Sequence, residues 1–556
     1  MLFRSLRNSR CLTIRISKTT KHLLSINSKM NNPYTSKHVP GVIPDIQLDK
    51  TESQVVNLLK SYTQAHNSQT EDPNDRITLR ITGGWVRDKL LNQPSHDIDI
   101  GIDNCSGESF VNGLKQWLDA KSDVDGRRGD DGDAEKINSI HKIKKNPDKS
   151  KHLETCTTKL FGLDIDFVNL RSELYTEDSR IPTITTGTPD EDAHRRDATL
   201  NALFFNLETM KVEDYTKKGL EDLSKGILRT PLEPTKTFLD DPLRCLRLIR
   251  FASNYGFKIE QATLDAMKRD DIHKALETKI SRERIGVEVK KMLVNKRWVY
   301  GTLDALALIR EVNFPNVFGL GDTKVPDEWL SNNKKRLTSD ISQNIDSLNK
   351  YLIDIIDSNI MNFSKVIDIQ DSSDNDKILF YSSIILNHWR DMKVKVGKRD
   401  NYVSFFCVLN GIKMPLKLAD NVALVTSQIE RIRTDVGGIR GFTRSEIARR
   451  FVLPFQDKWE INLLINSCLE CFEAPDQSTT ILNRYEGVIK TVYDLKLEES
   501  FKEQILLNGK ELMKIINKKP GPWLKPLNER LFQWQLDHPG ATREDMVDYL
   551  STIPIE

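Results

Sequence analysis

The stretch ITGGWVRDKLLNQPSHDIDIGID, residues 81–103, decides the expected fold. It carries the glycine pair Gly83 and Gly84 ahead of a short helix-like segment, and it ends on Asp97 and Asp99, which isoleucines flank. In a strand, residues two apart point to the same face, so the two carboxylates lie side by side. Neighbouring carboxylates repel each other unless a cation lies between them, and such hard oxygen ligands suit Mg²⁺. The stretch therefore predicts a strand, a turn, a short helix and a second strand that holds two Mg²⁺ ions on Asp97 and Asp99, an arrangement suited to phosphoryl transfer.

The glycine pair fits the same chemistry. Gly83 and Gly84 let the backbone approach a triphosphate closely, with N–H groups directed at anionic oxygens near a helix start. A DxD sequence alone is weak evidence, because most examples are solvated strand faces. The combination with the glycine pair and the Arg87-Asp88 step is far more specific.

Length and composition indicate a globular chain of several domains. The 556 residues are 38% hydrophobic and 29% charged, and no apolar run is long enough for a membrane-spanning helix. The seven cysteines are scattered and odd in number, which argues against a disulfide framework. Cys468 and Cys471 are interpreted as two helix positions, because no second CxxC and no nearby histidines accompany them.

The N-terminal segment differs in charge from the rest of the chain. Residues 1–44 carry eight Lys and Arg and no acidic residue, so the formal charge of +2 leaves about −6 (+2 minus +8) for the remainder. Such an arginine- and serine-rich segment is typical of a mitochondrial presequence, and the alternative is a disordered basic arm that contacts RNA. Met30 is a possible second start, which predicts additional cytosolic or nuclear forms. Any nucleic-acid surface on the rest of the chain must be a local patch.

The order of sequence patterns predicts an α+β chain: a small mixed β-sheet head followed by an all-helical neck, body and tail. Alternating β-branched residues predict strands at 77–82, 97–102 and 161–171, and from Asp241 onward the pattern is helical. The predicted divisions are a basic arm at 1–44, a head at 45–215 with a mobile loop at 121–153, a neck at 216–310, and a body and tail at 311–556.

The glycine pair, Arg87-Asp88 and the DxD together resemble motif A of the nucleotidyltransferase superfamily that includes DNA polymerase β. The closest form is that of the class II tRNA nucleotidyltransferases, the CCA-adding enzymes, and of the related bacterial poly(A) polymerases. HRRDATLNALFFN, residues 194–206, resembles the family's RRDFTINA motif, with Ala198 where phenylalanine is usual. The resemblance implies that Arg196 contacts the nucleotide's phosphates and Asp197 its ribose, with Asn201 in the same nucleotide-binding motif. It also implies nucleotide contacts for Gly83, Gly84, Arg87 and Asp88.

Two further stretches resemble structural parts of the family. Residues 214–231 match a short link with a Gly…Asp-Leu pattern, and SRERIGVEVKKML at 281–293 resembles a helix-capping motif. In the second, Ser281 is expected to cap the helix and Arg284 to brace the neck.

The stretch TFLDDPLRCLRLIRFA, residues 237–252, carries the prediction of nucleotide choice. It is similar to the family's E-D-x-x-R motif, in which the Asp and Arg read the incoming base; here these are Asp241 and Arg244. An ionised Asp241 accepts from the amino group of cytosine or adenine, and Arg244 donates to the adjacent ring nitrogen. Uracil and guanine present the reverse order and leave buried charged groups unpaired, which can discriminate by roughly 10⁴–10⁵. The nearby Arg247 and Arg250 are expected to grip the nucleotide.

Candidate RNA contacts lie in the C-terminal half. The predicted phosphate-binding residues are Lys510, Lys518, Lys519 and Arg440, and the basic stretches 393–399 and 431–433 are weaker candidates. Charged helices also carry lysines for solubility alone, so each patch has a structural alternative. Asp166, in a predicted strand, is a possible third carboxylate near the metals.

The resemblance implies a CCA tRNA nucleotidyltransferase that adds C, C and A to the 3′ end of tRNA from CTP and ATP. Its expected partners are tRNA and the two nucleotides, with no membrane and with a monomeric state. A poly(A) polymerase of the same superfamily and a non-catalytic RNA-binding module are the alternatives. Mitochondrion, cytoplasm and nucleus are the expected locations.

Overall fold

The computed structural model describes residues 41, 43–95, 97–124, 140–143, 155–176, 179–295, 298–357 and 372–554. The predicted presequence therefore lies almost entirely outside the described residues, as does most of the predicted loop at 121–153.

A seven-stranded mixed sheet forms the centre of the head. Its strands are β1 Leu79–Thr82, β2 Ile98–Ile102, β3 Ile140–Ile143, β4 Thr155–Leu160, β5 Leu163–Asn169, β8 Leu203–Asn206 and β9 Lys211–Asp214. They lie in the order β3-β4-β5-β2-β1-β8-β9, with β2 and β5 parallel and all other neighbours antiparallel. A separate hairpin, β6 Arg171–Thr176 and β7 Ser179–Thr186, follows β5. The predicted mixed head is confirmed, although the sequence indicated only three of these strands.

Four helices accompany the strands of the head: α1 Lys50–Ser68, α2 Gly84–Leu90, α3 Gly107–Val124 and α4 Pro189–His194. Helix α1 begins with a capping box, in which Asp49 and Glu52 bond to each other's backbone N–H groups. Helix α3 runs on to Val124, and β3 forms the edge of the sheet at Ile140–Ile143. The prediction of a loop over all of 121–153 is therefore wrong at 121–124 and 140–143. The charged sequence there has no regular period, so it did not indicate the end of a helix or a four-residue strand.

From Gly219 onward the chain is predominantly helical, as predicted. The helices are α5 Gly219–Lys225, α6 Pro234–Asp240, α7 Leu243–Tyr255, α8 Gln261–Met267, α9 Asp270–Lys279, α10 Arg282–Leu293, α11 Trp298–Glu311, α12 Asp327–Asp357, α13 Asp374–Ile385, α14 Val403–Phe406, α15 Leu416–Ser427, α16 Ile429–Gly438, α17 Arg444–Ile447, α18 Trp459–Glu473, α19 Ser478–Asp494, α20 Gly509–Ile516, α21 Leu524–Asp537 and α22 Arg543–Thr552.

Two short ladders interrupt this helical part, so the expectation of an all-helical remainder is corrected. Strands β10 Ile227–Leu228 and β11 Lys258–Ile259 pair in parallel. Strands β12 Lys393–Val396 and β13 Arg399–Tyr402 form a hairpin, which takes in the basic stretch 393–399. The alternation of that stretch and Gly397, with φ +60° at the turn, explain the hairpin.

Three apolar clusters support the described part of the chain, the smallest of which consists of Leu170, Ala193, Ala202 and Phe204 in the head. One continuous core runs from Val55 in α1 to Leu536 in α21, through head and helices alike. A separate cluster holds the C-terminal helices together; it consists of Leu507, Leu512, Leu527, Leu531, Met546, Leu550 and Ile553. Cys468 and Cys471 are buried helix positions in α18, as predicted. Among the described residues, no helix has the length and apolarity that a membrane span requires.

Candidate active site

The carboxylates of Asp97, Asp99 and Asp166 lie near one another where β2 and β5 run side by side. Asp99 on β2 pairs in register with Asp166 on β5, so the two side chains share a face. Asp97 is exposed and lies just before β2, whereas Ile98 and Ile100 are buried, which confirms the predicted alternation. Burial, and then the nearby carboxylates of Asp166 and Asp97, raise the pKa of Asp99 to about 6.

The donor set fits a divalent cation. The raised pKa of Asp99 means that the folded chain disfavours its negative charge, and a cation between the carboxylates would remove that cost. Asp166 also accepts a hydrogen bond from Thr157 Oγ1 at 2.5 Å, which fixes its orientation. Within the described part of the chain, no three His, Cys, Asp or Glu side chains lie close enough together to hold a metal ion on their own. Open carboxylates of this kind suit Mg²⁺, which keeps waters and takes substrate oxygens as further ligands.

The glycine turn, Gly83 and Gly84, lies next to Arg196 of the RRD motif, residues 195–197. Gly83 ends β1 with φ +74°, a conformation that side chains other than glycine rarely adopt, and Gly84 begins α2. A Cβ atom at Gly83 would lie 3.1 Å from Nη1 of Arg196. The Arg196 guanidinium donates to Thr82 Oγ1 at 2.5 Å and to Asp192 Oδ2 at 2.7 Å. A fixed cation therefore stands beside the open backbone of the turn.

A chain of hydrogen bonds links this turn to helix α7. Arg87, which is 6% exposed, donates from Nη1 to Asn201 Oδ1 at 2.5 Å. Asn201 Nδ2 donates to Asp197 Oδ1 at 2.8 Å, and Arg247 Nε on α7 donates to Asp197 Oδ2 at 2.7 Å. Burial by itself would raise the pKa of Asp197, but Arg247, Asn201 and Arg244 outweigh it and hold that pKa far below its usual value. Asp197 is therefore a buried anion at neutral pH.

The last residue of α7 makes a second link to the head. Tyr255 donates its hydroxyl to Asp88 Oδ1 at 2.9 Å, and the Arg87 guanidinium lies 4.8 Å from the centre of the Tyr255 ring. Arg87 Nε donates to the same Asp88 oxygen at 2.8 Å. The Arg87-Asp88 step thus holds the end of α7 against the glycine turn.

The two residues predicted to read the base, Asp241 and Arg244, lie on different elements. Asp241 does not share the helix with Arg244; it lies between α6 and α7 in an extended conformation, with φ −138° and ψ 96°. The cause is Pro242, which disfavours helical geometry in the residue before it and stands just ahead of α7. Asp241 Oδ2 accepts from Arg284 Nη2 at 3.3 Å, so the predicted brace is confirmed. Ser281 occupies the N-cap position of α10, but its side chain makes no capping hydrogen bond, so that expectation is wrong.

The remaining predicted arginines of α7 face carboxylates. Arg244 is 9% exposed, and its Nη2 atom lies 3.8 Å from Glu173 Oε2 on the β6–β7 hairpin. Arg250 Nε donates to Glu288 Oε2 at 2.6 Å, and its guanidinium lies 4.3 Å from the Phe251 ring centre. Arg244 lies near the Asp197 link, whereas Arg250 is directed towards α10.

Two buried carboxylates of this region were not predicted. Asp192 on α4 is 1% exposed and accepts from both Arg195 and Arg196. Its spacing of three and four residues from these arginines was a signal for helical contact. Glu173 carried no such signal, because its arginine partners come together only in the folded chain.

The four predicted RNA-contact residues are all exposed. Lys510 lies at the start of α20, Lys518 and Lys519 follow that helix, and Arg440 lies in the turn after α16. By contrast, Arg431 and Arg433 form ion pairs with Asp435 and Glu473. The stretch 431–433 is therefore largely occupied by contacts within the protein.

Comparison with known proteins accords with this geometry. Residues 79–229 match the family model of the poly A polymerase head domain. The chain is 41% identical over 544 residues to the mitochondrial CCA tRNA nucleotidyltransferase of Candida glabrata, covering 93% of this chain and 98% of the relative. It is 38% identical over 549 residues to the protein of that name in Saccharomyces cerevisiae, covering 95% and 98%.

Solved structures match over a similar span. The Bacillus stearothermophilus CCA-adding enzyme in complex with CTP has a TM-score of 0.58 at 16% identity, covering 91% of this chain and 98% of that one. The Thermotoga maritima CCA-adding enzyme complexed with tRNA has a TM-score of 0.53 at 17% identity, covering 92% and 98%. At these identities the similarity shows the fold alone. Because the two fungal relatives match along nearly their whole length, the chain belongs to the family of the CCA tRNA nucleotidyltransferases.

Proposed function

We propose that this chain adds C, C and A to the 3′ end of tRNA from CTP and ATP, without a nucleic-acid template. The observation that carries the proposal is the bond between Arg247 and Asp197, because it joins the helix of the base reader to the RRD motif of the head. The names of the two fungal relatives support the same activity.

In each addition the 3′-hydroxyl oxygen of the tRNA attacks the α-phosphorus of the bound nucleotide. A new phosphorus–oxygen bond forms, the bond to the oxygen that bridges to the β-phosphate breaks, and pyrophosphate leaves. Asp97 and Asp99 would hold two Mg²⁺ ions, with Asp166 as a third carboxylate beside them. When bound, these ions would stabilise the charge on the attacking and leaving oxygens.

The nucleotide's phosphates are proposed to lie over the glycine turn. Gly83 and Gly84 offer backbone N–H groups at the start of α2, and Arg196 supplies a cation beside them. Arg247 and Arg250 on α7 are proposed to contact the nucleotide from the other side. Four of the predicted nucleotide-binding residues share one hydrogen-bond network, which consists of Arg87, Asp88, Asn201 and Asp197. We propose that Arg87 and Asp88 hold this network in place and that Asp197 and Asn201 contact the ribose.

Base choice is assigned to Asp241 and Arg244. Asp241 accepts from the Leu243 backbone N–H at Oδ1 and from Arg284 at Oδ2, and it retains further acceptor capacity because a carboxylate offers about four lone-pair sites. Arg244 carries five N–H donors, so it can face a carboxylate and a ring nitrogen together. Asp241 would accept from the amino group of cytosine or adenine while Arg244 donates to the neighbouring ring nitrogen.

The tRNA is proposed to lie along the helical body and tail, with phosphates near Lys510, Lys518, Lys519 and Arg440. Their exposure supports this assignment. The divisions at 45–215, 216–310 and 311–556 remain our proposal for head, neck, and body with tail. The last strand of the sheet ends at Asp214, close to the first of these divisions.

The chain is proposed to act in mitochondria, with a shorter form from Met30 in the cytoplasm and nucleus. The basic segment 1–44 and the mitochondrial naming of the two relatives support the first location. A monomer is proposed, and the large hydrophobic side chains that the described residues expose are few: Met210, Leu232, Val287, Leu416, Tyr493 and Ile515.

The test is nucleotide incorporation into tRNA that lacks its three terminal nucleotides. With CTP and ATP together, we expect addition to stop after three nucleotides ending in A. Incorporation of ATP alone, in long tracts, would instead identify a poly(A) polymerase. A binding module without catalysis would add nothing, and its tRNA affinity would still resemble that of the wild-type protein after Asp97→Ala.

A further inference from the structure

The β6–β7 hairpin places one carboxylate among several arginines. Glu173 lies on β6 opposite Ile184 of β7, outside the seven-stranded sheet, and its side chain is only 5% exposed. Its Oε1 atom accepts from Arg195 Nη1 at 3.1 Å and lies 2.9 Å from Arg171 Nε. Its other oxygen, Oε2, lies 3.8 Å from Arg244 Nη2. One buried carboxylate therefore faces three guanidinium groups: Arg171 from its own strand, Arg195 from the end of α4 and Arg244 from α7.

The two oxygens of the Glu173 carboxylate make different kinds of contact. The Arg195 contact is a direct hydrogen bond, which ties Glu173 to helix α4 and hence to Asp192, the partner of Arg195 and Arg196. The Arg244 contact at 3.8 Å is an ion pair longer than a hydrogen bond. By contrast, Arg247 is held on the same helix by a 2.7 Å hydrogen bond to Asp197. Glu173 is thus fixed to the head and attracts Arg244 through charge across a short gap.

This arrangement suits a guanidinium that must read two bases of different size. A planar guanidinium must lie in the plane of the base to donate to a ring nitrogen, so its orientation has to be restrained. Cytosine and adenine present the same donor and acceptor order on rings of different size, so the restraint must also tolerate a small shift. A buried ion pair at 3.8 Å restrains the direction of Arg244 without fixing one hydrogen-bond geometry.

We propose that Glu173 is a positioning residue for base selection: from the head hairpin, it orients Arg244 towards the Watson–Crick edge of the incoming base. The inference rests on the proposed function, in which Arg244 reads that base. Glu173 itself contacts neither nucleotide nor metal in this account, and it acts through Arg244. It also connects the choice of base to the hairpin that follows β5, the strand that carries Asp166.

The test compares Glu173→Gln with the wild-type protein in single-nucleotide additions of CTP, ATP, UTP and GTP to truncated tRNA. Glutamine keeps the size of the side chain and an acceptor for Arg195 but removes the charge that attracts Arg244. We expect the KM for CTP and ATP to rise about ten-fold, and the preference of CTP over UTP to fall about ten-fold, with a smaller change in kcat. Glu173→Asp keeps the charge and should retain more of the preference than Glu173→Gln.

Asp435→Asn is the matched control. Asp435 is as buried as Glu173, with a side chain 5% exposed, and it also faces two arginines, Arg431 and Arg450, but it lies in α16 of the body. Both variants should lower the melting temperature, and only Glu173→Gln should change the preference among nucleotides. If Glu173→Gln lowers the melting temperature but keeps the wild-type KM values and CTP preference, its role is structural and the inference is wrong. Failure of the wild-type protein to add C, C and A would instead overturn the proposed function.

Discussion

Arg247 on helix α7 donates from Nε to Asp197 Oδ2 of the RRD motif over 2.7 Å, and this bond connects the helix proposed to read the base with the head. Asp197 is 7% exposed and also accepts from Asn201, which in turn accepts from Arg87 behind the glycine turn. The bond therefore lies at the centre of a network that spans both parts of the site.

Removing the cation from this bond should destabilise the protein. In Arg247→Met the buried Asp197 carboxylate loses its main counter-charge. Because the Arg247 side chain is itself 38% exposed, the cost should fall below that of a fully buried pair, at about 1–3 kcal/mol. We expect a clearly lower melting temperature in thermal unfolding. The double variant Arg247→Met/Asp197→Asn should recover part of the loss, because the buried charge is gone; a double variant less stable than Arg247→Met would argue against this account.

The bond between Arg247 and Asp197 also predicts how the stability of the protein changes in acid. The pKa of Asp197 is lower in the folded chain than its ordinary value, so the group stabilises the fold above pH ~4 and this stabilisation is lost as the pH falls further. Asp192, held between Arg195 and Arg196 with a lowered pKa, acts in the same sense. In acid unfolding followed by circular dichroism, Arg247→Met should unfold at a higher pH than the wild-type protein. Equal midpoints would mean that Asp197 is not held ionised by Arg247.

Asp99 should have the opposite effect on stability when metal is absent. Its pKa of about 6 in the folded chain lies above the ordinary value of 3.8, so its contribution to stability is present below pH ~4 and is lost as the pH rises towards 6. Asp99→Asn removes this cost and should raise the free energy of unfolding at pH 7.5 in EDTA by about 2–3 kcal/mol.

The control for Asp99→Asn is the metal itself. Added Mg²⁺ should raise the melting temperature of the wild-type protein, because the ion neutralises the carboxylates of Asp97 and Asp99. It should have a smaller effect on Asp99→Asn, whose activity should nevertheless collapse. If the wild-type protein is more stable than Asp99→Asn in EDTA at pH 7.5, the negative charge of Asp99 does not destabilise the metal-free fold, and this prediction is wrong.

Helix α10 packs against the body through a glycine. A Cβ atom at Gly286 would lie 2.2 Å from the backbone oxygen of Ile412, so Gly286→Ala should force the two segments apart and cost about 1–3 kcal/mol. Gly487 in α19 provides a matched control, since a Cβ atom there meets nothing within 4 Å. Gly487→Ala should instead stabilise its helix by about 0.5–1 kcal/mol. Melting temperatures that move in the same direction in both variants would refute this close approach.

The tail lysines are predicted to contact RNA phosphates. Replacing Lys510, Lys518 and Lys519 by alanine should weaken tRNA binding and reduce the slope of log affinity against log salt by about one per lost contact. Lys225→Ala in helix α5 of the neck, where the lysine pairs with Glu221, is the control and should leave both quantities unchanged. Filter binding at several salt concentrations measures the affinity and the slope. An unchanged slope in the triple variant would show that the tail lysines do not contact RNA phosphates.

The sequence predicted the parts of the site that follow from local pattern. The alternation of Asp97 and Asp99 with buried isoleucines, and the glycine turn before α2, are as expected because a strand or a turn depends on neighbouring residues. The helical second half followed from its periodicity. The extended conformation of Asp241 also follows from local sequence, because Pro242 disfavours helical geometry in the residue before it.

Other parts of the site depend on contacts between residues far apart in the chain. The register of Asp99 with Asp166 requires the parallel pairing of β2 and β5, which no local pattern specifies. Glu173 meets Arg244 only because the β6–β7 hairpin packs near α7, 71 residues later in the sequence. Strand β3 has only four residues and is too short to give a clear period.

We propose that one site adds C and A, and only these, to tRNA. The most direct measurement is sequencing of the products formed from truncated tRNA with all four nucleoside triphosphates present, alongside Asp97→Ala and Asp99→Ala proteins that still bind tRNA. The account predicts three added nucleotides, C, C and A, with the wild-type protein and no addition with either variant. Tracts of A alone, frequent U or G, or full activity in the aspartate variants would contradict it.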